Sequence, residues 1–319
     1  MTVVRSIVFA EALAAVAGCD AERILAIAKI GDAGGPAGDA GHDDGRPNGA
    51  GDAPTSPSDG GSFAPPRVVP GLRGDAFDVQ DPSMTSEELE LYFTSATGGS
   101  NDIWVARRTL TSDPWGSGAV VAELSSPRND ADPEVSVDGL NMFLSSDRDG
   151  DGTHLYVARR RTRDTPWEQP VRVDGYGSAA LDVAPAVDRA QLYLVFASQR
   201  GTASDLHLYA ATRPDASAAW QTATELTALS STSRDTDPAL FAEGRGLIFA
   251  SRRTAPAAKT DLFQTARSDV GAPFASRVDP ISDLNTAASE EDPWVSQDGR
   301  HILFVSDRDG GSRIYEARR

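Results

Sequence analysis

The sequence predicts an all-β protein, a β-propeller of five four-stranded blades. Three observations carry this expectation. The last stretch, Asp292 to Arg319, reads as three short strands separated by two turns. Four earlier copies of it occur at a spacing of about 50 residues, the period of a propeller or similar array. The chain also uses Gly and Pro freely (29 and 20 residues) and aromatics sparingly, which suits many short strands joined by turns. One such unit cannot bury both of its faces, so the copies must pack against each other.

In the last copy, Trp294-Val295-Ser296 forms the first strand and Asp298-Gly299 is a hairpin-turn signal. His301 to Ser306 is an apolar run of strand length. Asp309-Gly310-Gly311 turns the chain again, and Arg313 to Ala317 forms the third strand. The opening Asp-Pro recurs at Asp81, Asp132, Asp237 and Asp292, with Ala184-Pro185 as a degraded copy. A serine ends each second strand: Ser95, Ser146, Ser198, Ser251 and Ser306. An aromatic marks each third strand, Trp104, Tyr156, Tyr209, Phe263 and Tyr315, and an arginine follows at 108, 160, 213, 267 and 319.

A further aromatic precedes each Asp-Pro by 17 or 18 residues: Phe63, Trp115, Trp167, Trp220 and Phe274. It opens a fourth, outer strand in each blade. The last copy reaches Arg319 at the end of its third strand and has no outer strand of its own. The surplus strand at residues 62–70 supplies it. Closure by donation covers two edges that would otherwise invite aggregation. Pro65, Pro66 and Pro70 fit an outermost strand, where one side of the backbone needs no partner. A sixth blade would have to come from residues 1–62, whose composition argues against it.

The repeat Asp-Pro…Ser…Asp-Gly…Phe…Ser-Asp-Arg-Asp-Gly…Ile-Tyr resembles the TolB-type, WD-like β-propeller repeat of bacterial envelope proteins, over about residues 63–319. The resemblance implies an architecture rather than a reaction. It also implies six blades as the usual number, where this sequence supplies five.

Residues 1–19 carry Arg5 and then a short apolar run, Ile7 to Val16. The run is too short for an ordinary membrane span and reads as a signal peptide. Its end, Val16-Ala17-Gly18-Cys19, resembles the bacterial lipobox, which implies that Cys19 becomes a lipidated N-terminus. Cys19 is the only cysteine in the chain. Glu11 is out of place in the apolar run, and the plainer alternative is a frayed helix with an ordinary thiol. Residues 20–62 read as a tether. From residue 31 onward this stretch has no Val, Ile, Leu, Met or aromatic residue and carries six Asp against Arg46. It cannot bury enough apolar area to offset its ordering entropy. The expected location is the cell envelope, lipid-anchored at a bacterial membrane, periplasmic or surface-exposed.

A net charge of −17 disfavours a nucleic-acid role, since phosphate binding needs a basic surface, so no nucleic-acid partner is expected. Asp81, Asp132, Asp237 and Asp292 are the candidate ligand-binding residues. With Asp78, Asp130, Asp182, Asp235 and Glu290 just before them, they ring one mouth of a central channel and suit a cation or basic ligand. The alternative is structural: each Asp caps a turn and pairs with Arg148, Arg200, Arg253 or Arg308. Repetition in nearly every blade favours that alternative, since a blade-building residue is needed in every repeat.

Asp147, Asp149, Asp151 and Gly152 match the first half of a calcium loop, but its twelfth position is Ala158 rather than Glu. No metal or cofactor is expected. The nucleophile-elbow, zincin and P-loop patterns are missing, and no residues follow the propeller to form a hydrolase domain. His154, His207 and His301 are not brought together by spacing. Two readings remain. The favoured one is a non-enzymatic, tethered propeller that binds a protein, peptide or envelope polymer. The other is a secreted glycan-active hydrolase using inner-strand carboxylates, for which Glu134 is the one acid outside the repeat pattern. For the anchor, labelled palmitate should mark the wild-type protein, and Cys19→Ser should abolish the label; an unlabelled wild-type protein in the cytosol would refute it.

Overall fold

The computed structural model describes residues 61–72, 78–97, 99–177, 181–201, 205–254 and 259–319. Cys19, the signal-like segment and the tether up to residue 60 lie outside the described residues. Twenty strands form five antiparallel four-stranded sheets. Strand β1 is Arg67–Val68. The first blade contains β2 (Val79–Met84), β3 (Glu90–Thr97), β4 (Ser100–Arg107) and β5 (Ala119–Val120). The second contains β6 (Asp130–Val135), β7 (Asn141–Ser146), β8 (His154–Arg159) and β9 (Val171–Arg172). The third contains β10 (Asp182–Val187), β11 (Tyr193–Ser198), β12 (His207–Thr212) and β13 (Thr224–Glu225). The fourth contains β14 (Asp235–Phe241), β15 (Gly246–Ser251), β16 (Asp261–Ala266) and β17 (Asp279–Pro280). The fifth contains β18 (Glu290–Val295), β19 (His301–Ser306) and β20 (Arg313–Arg318), with β1 as its outer strand. No described helix is long and apolar enough to cross a membrane.

The second strands explain the packing. β11, β15 and β19 are buried at every residue. A sheet with both faces covered reads as a continuous apolar run rather than an alternating one. The apolar side chains accordingly form five clusters, each joining neighbouring blades. Tyr92 and Ile103 of the first blade, for example, pack with Met142 and Trp167 of the second.

Donation of the first strand is present. Arg67 pairs with Glu316 and Val68 with Tyr315. The Ala64 amide donates to the Arg318 carbonyl at 2.8 Å, and Val69 to Ile314 at 2.9 Å. The outer strands differ from expectation in one respect. Each is only two residues long and begins four or five residues after the aromatic. The aromatic packs inward instead, beneath the arginine that directly follows the third strand. Arg108 lies over Trp115, Arg160 over Trp167, Arg213 over Trp220 and Arg267 over Phe274, at 4.1 to 4.4 Å. The fifth pair closes the ring: Arg319 lies 4.5 Å over Phe63. Each arginine Nε also donates to a carbonyl in the turn before its second strand, such as Gly139 or Gly299 at 2.7 Å.

The inner strands bring a second correction. They start two residues before Asp-Pro rather than at it, and every Asp-Pro sits at a shift in register, between Ala131 and Glu134 in the second blade. The left-handed backbone there recurs at φ 50 to 53° in Asp81, Asp132, Ala184, Asp237 and Asp292. Phe63→Ala should destabilise the propeller by about 3 kcal/mol, the cost of removing a buried ring, and should release the donated strand. A chemical denaturation midpoint equal to wild type would count against closure at this point.

Candidate functional site

Two sets of carboxylates had been grouped together in the sequence, and the structure separates them. Asp130, Asp182, Asp235 and Glu290 are fully buried, 0% exposed. Each accepts a hydrogen bond from the serine ending the second strand, at 2.6 Å for Ser146, Ser198 and Ser251 and 3.0 Å for Ser306. Each also pairs with Arg148, Arg200, Arg253 or Arg308 at 2.5 to 3.0 Å. The arginine is held in turn by the serine and a backbone carbonyl, as Arg148 is by Ser146 and Leu124. Such charge-assisted contacts are the strong kind. The arginine pairing expected for the Asp-Pro carboxylates therefore belongs to these residues. In the first blade Val79, not Asp78, occupies the position, so that blade has no such latch.

Asp81, Asp132, Asp237 and Asp292 face the channel and line one constriction together with their prolines and Glu134. In a regular strand residues two apart share a face, but the bulge breaks that rule. It turns Asp130 into the blade and Asp132 toward the axis. Three of these carboxylates accept from the next blade's backbone. Asp81 takes the Asp132 amide at 3.2 Å, Asp132 takes the Ala184 amide at 3.0 Å, and Asp292 takes the Asp81 amide at 3.3 Å. Burial and the neighbouring Asp132 push Asp81 up to about 8. Burial, then Asp81, hold Asp292 well above the usual range, and burial raises Asp132.

The residue after each Asp-Pro is where the blades differ: Ser83, Glu134, Ala186, Ala239 and Trp294. Glu134 lines both the constriction and a larger cavity of about 410 Å³ on its other side, which Trp294 and Ala239 also line. Ser83 Oγ donates to Glu134 Oε2 at 3.2 Å and accepts the Val135 amide at 2.9 Å. Burial raises Glu134 to about 8, against the opposing hydrogen bonds from Ser83 and the Val187 backbone. At neutral pH it is a protonated acid. Sequence reasoning singled out Glu134 and missed Trp294. The same position in the repeat was the signal that marks both.

The cavity wall includes Glu88, His301 and Arg318 at the seam between the first and fifth blades. His301 Nδ1 lies 2.9 Å from Glu88 and Nε2 lies 3.4 Å from Glu316. Arg318 pairs with Glu88 at 2.7 Å and Arg108 reaches it at 3.5 Å. The His301 hydrogen bond, helped by Arg318, lowers Glu88 to about 2. Burial works against charging His301, but Glu316 and Glu88 outweigh it and raise its pKa.

The other motif residues are committed elsewhere. Asp147 accepts the Asn129 amide at 2.8 Å, Asp149 accepts the Tyr156 hydroxyl at 2.6 Å, and Asp151 pairs with Arg172 at 2.8 Å. The calcium-loop match therefore builds a turn. His154, His207 and His301 lie in three different blades. Among the described residues no three His, Cys, Asp or Glu side chains converge as a metal site.

The chain is a five-bladed propeller with a cavity at its axis. No family model matches the chain, and no curated protein matches it in sequence. Solved structures share the fold. An endo-arabinase from Bacteroides thetaiotaomicron is 12% identical over 79% of this chain and 97% of its own, with a TM-score of 0.57. A family 117 glycoside hydrolase from Zobellia galactanivorans is 15% identical over 81% and 90%, with a TM-score of 0.53. A protein described as TolB from Agrobacterium tumefaciens is 16% identical over 77% and 79%, with a TM-score of 0.48.

The Glu134 environment has a measurable consequence. Its folded pKa of about 8 exceeds the ordinary 4.5, so the folded state keeps a proton that the unfolded chain gives up. Its contribution to stability must fall as pH rises between those values. Glu134→Gln cannot ionise and should gain on wild type through that window. The gain should reach about 1–2 kcal/mol at pH 8, discounted for water in the channel. Parallel melting-temperature profiles of the two proteins from pH 5 to 8 would contradict this.

Proposed function

We propose that this protein is a non-enzymatic propeller that binds a ligand, a protein, peptide or envelope polymer, in the axial cavity, and that Cys19 tethers it to the bacterial envelope. The observation that carries the binding reading is the commitment of the acids around Glu134. Glycan hydrolysis needs an acid and a second carboxylate acting as base or nucleophile across the scissile bond. Glu88, in the same cavity, is engaged by His301 and Arg318. Asp298 accepts from Ser296 Oγ at 2.6 Å and the Arg300 amide at 3.0 Å. Asp81, Asp132 and Asp292 accept the amides of neighbouring blades and carry raised pKa values, which suits them poorly to act as bases at neutral pH. They supply an acidic floor beneath the cavity instead.

A glycan-active hydrolase is the second reading. It is favoured by the protonated state of Glu134, the state a general acid requires. Incubating the full chain with arabinan and agar oligosaccharides separates the two. Binding predicts no product above buffer. Steady turnover that disappears in Glu134→Gln would overturn it.

A further inference from the structure

The cavity has opposite chemistry at its two ends. Its inner end is bounded by Glu134 and, beneath it, by the four aspartates of the constriction. Trp294 forms part of the wall. An indole face beside carboxyl groups attracts a cation through its quadrupole. Val135, Val187 and Leu240 make the middle of the wall apolar. Toward the outside, Arg189 and Arg300 line the same cavity from the third and fifth blades, beside Asp298, whose carboxylate accepts from Ser296 Oγ and the Arg300 amide. Among the described residues Arg189 has only a long, exposed pair with Glu243 at 3.7 Å. The Arg300 guanidinium has no ion pair among the described residues. Arg318, by contrast, is taken up by Glu88.

We propose that the cavity binds a zwitterion of the ω-amino acid type, its ammonium between Trp294 and Glu134, its methylenes along the apolar wall, and its carboxylate at Arg189 and Arg300. This deepens the binding reading and rests on it. The volume, about 410 Å³, falls among small-molecule sites. A simple anion would lie near the acidic floor, and a simple cation would leave Arg300 without an ion pair and Arg189 with its long, exposed Glu243 contact. Only a ligand with both charges satisfies both ends.

Binding has a proton signature. The ammonium favours the ionised form of Glu134, so its acid proton leaves for solvent as the carboxylate–ammonium pair forms. No covalent bond is made or broken beyond that O–H.

The test is calorimetric titration of the full chain at pH 7 with 6-aminohexanoate, hexylamine and hexanoate, in two buffers of different ionisation enthalpy. The amino acid should bind at least about tenfold more tightly than either half and release protons. Glu134→Gln should abolish that release, Trp294→Ala should weaken both amines, and Arg300→Ala should bring 6-aminohexanoate down to hexylamine. Hexanoate binding as well as the amino acid, binding without proton release, or no binding by any probe would overturn the ligand class. Those results, without glycan turnover, leave the broader binding reading standing; glycan turnover lost in Glu134→Gln removes that reading itself.

Discussion

Every blade is a sheet that must be covered on both faces, and this constraint governs the rest of the molecule. An open row of such sheets would leave two apolar faces in water, at about 25 cal/mol for each Å² exposed. Closing the row into a ring removes both. The last cluster joins the fifth blade to the first: Leu303, Val305 and Ile314 pack with Leu91 and Phe93. The strand supplied by residues 67–68 and the Arg319–Phe63 contact complete the fifth blade from the beginning of the chain.

Two devices hold the blades in shape, the first present in all five and the second in four. One is the arginine stacked on an aromatic at the outer edge. The other is the buried carboxylate–serine–arginine latch at the start of the inner strand, built with Asp in three blades and Glu in the fifth. A buried carboxylate is tolerated because the serine hydroxyl and the guanidinium satisfy it. The Asp-Pro bulge repeats as well. Ala184 keeps its left-handed conformation without a carboxylate, so the backbone geometry is a requirement of the ring, and the acid is an addition to it. Along the channel the side chain varies most at the position after the proline, where Glu134 and Trp294 stand among Ser83 and two alanines.

The period, the second strands and ring closure were legible because they follow from spacing and apolar runs. β19 begins at His301 and ends at Ser306, as its sequence indicates. The pairing of carboxylates with arginines was assigned two residues out of place, because alternation in a strand gives no warning of a bulge. The outer aromatics read as strand openers because their partners lie outside any local pattern; Phe63 meets Arg319, more than 250 residues further along the chain. Glu134 stood out against an otherwise regular set of acids. Trp294 did not, since an aromatic in a strand reads as core until the cavity beside it is seen.

The central claim is that the repeated residues build the ring and the unrepeated ones at the axis make the site. It is tested most directly by comparing Asp235→Asn with Trp294→Ala, recording a melting curve and a 6-aminohexanoate binding isotherm for each. The account predicts that Asp235→Asn, which weakens a buried latch that does not line the cavity, lowers the melting temperature and leaves the affinity of the folded protein unchanged. It predicts that Trp294→Ala lowers affinity by about tenfold or more with the smaller loss of stability. The reverse pattern, affinity following the latch and indifferent to Trp294, would contradict it.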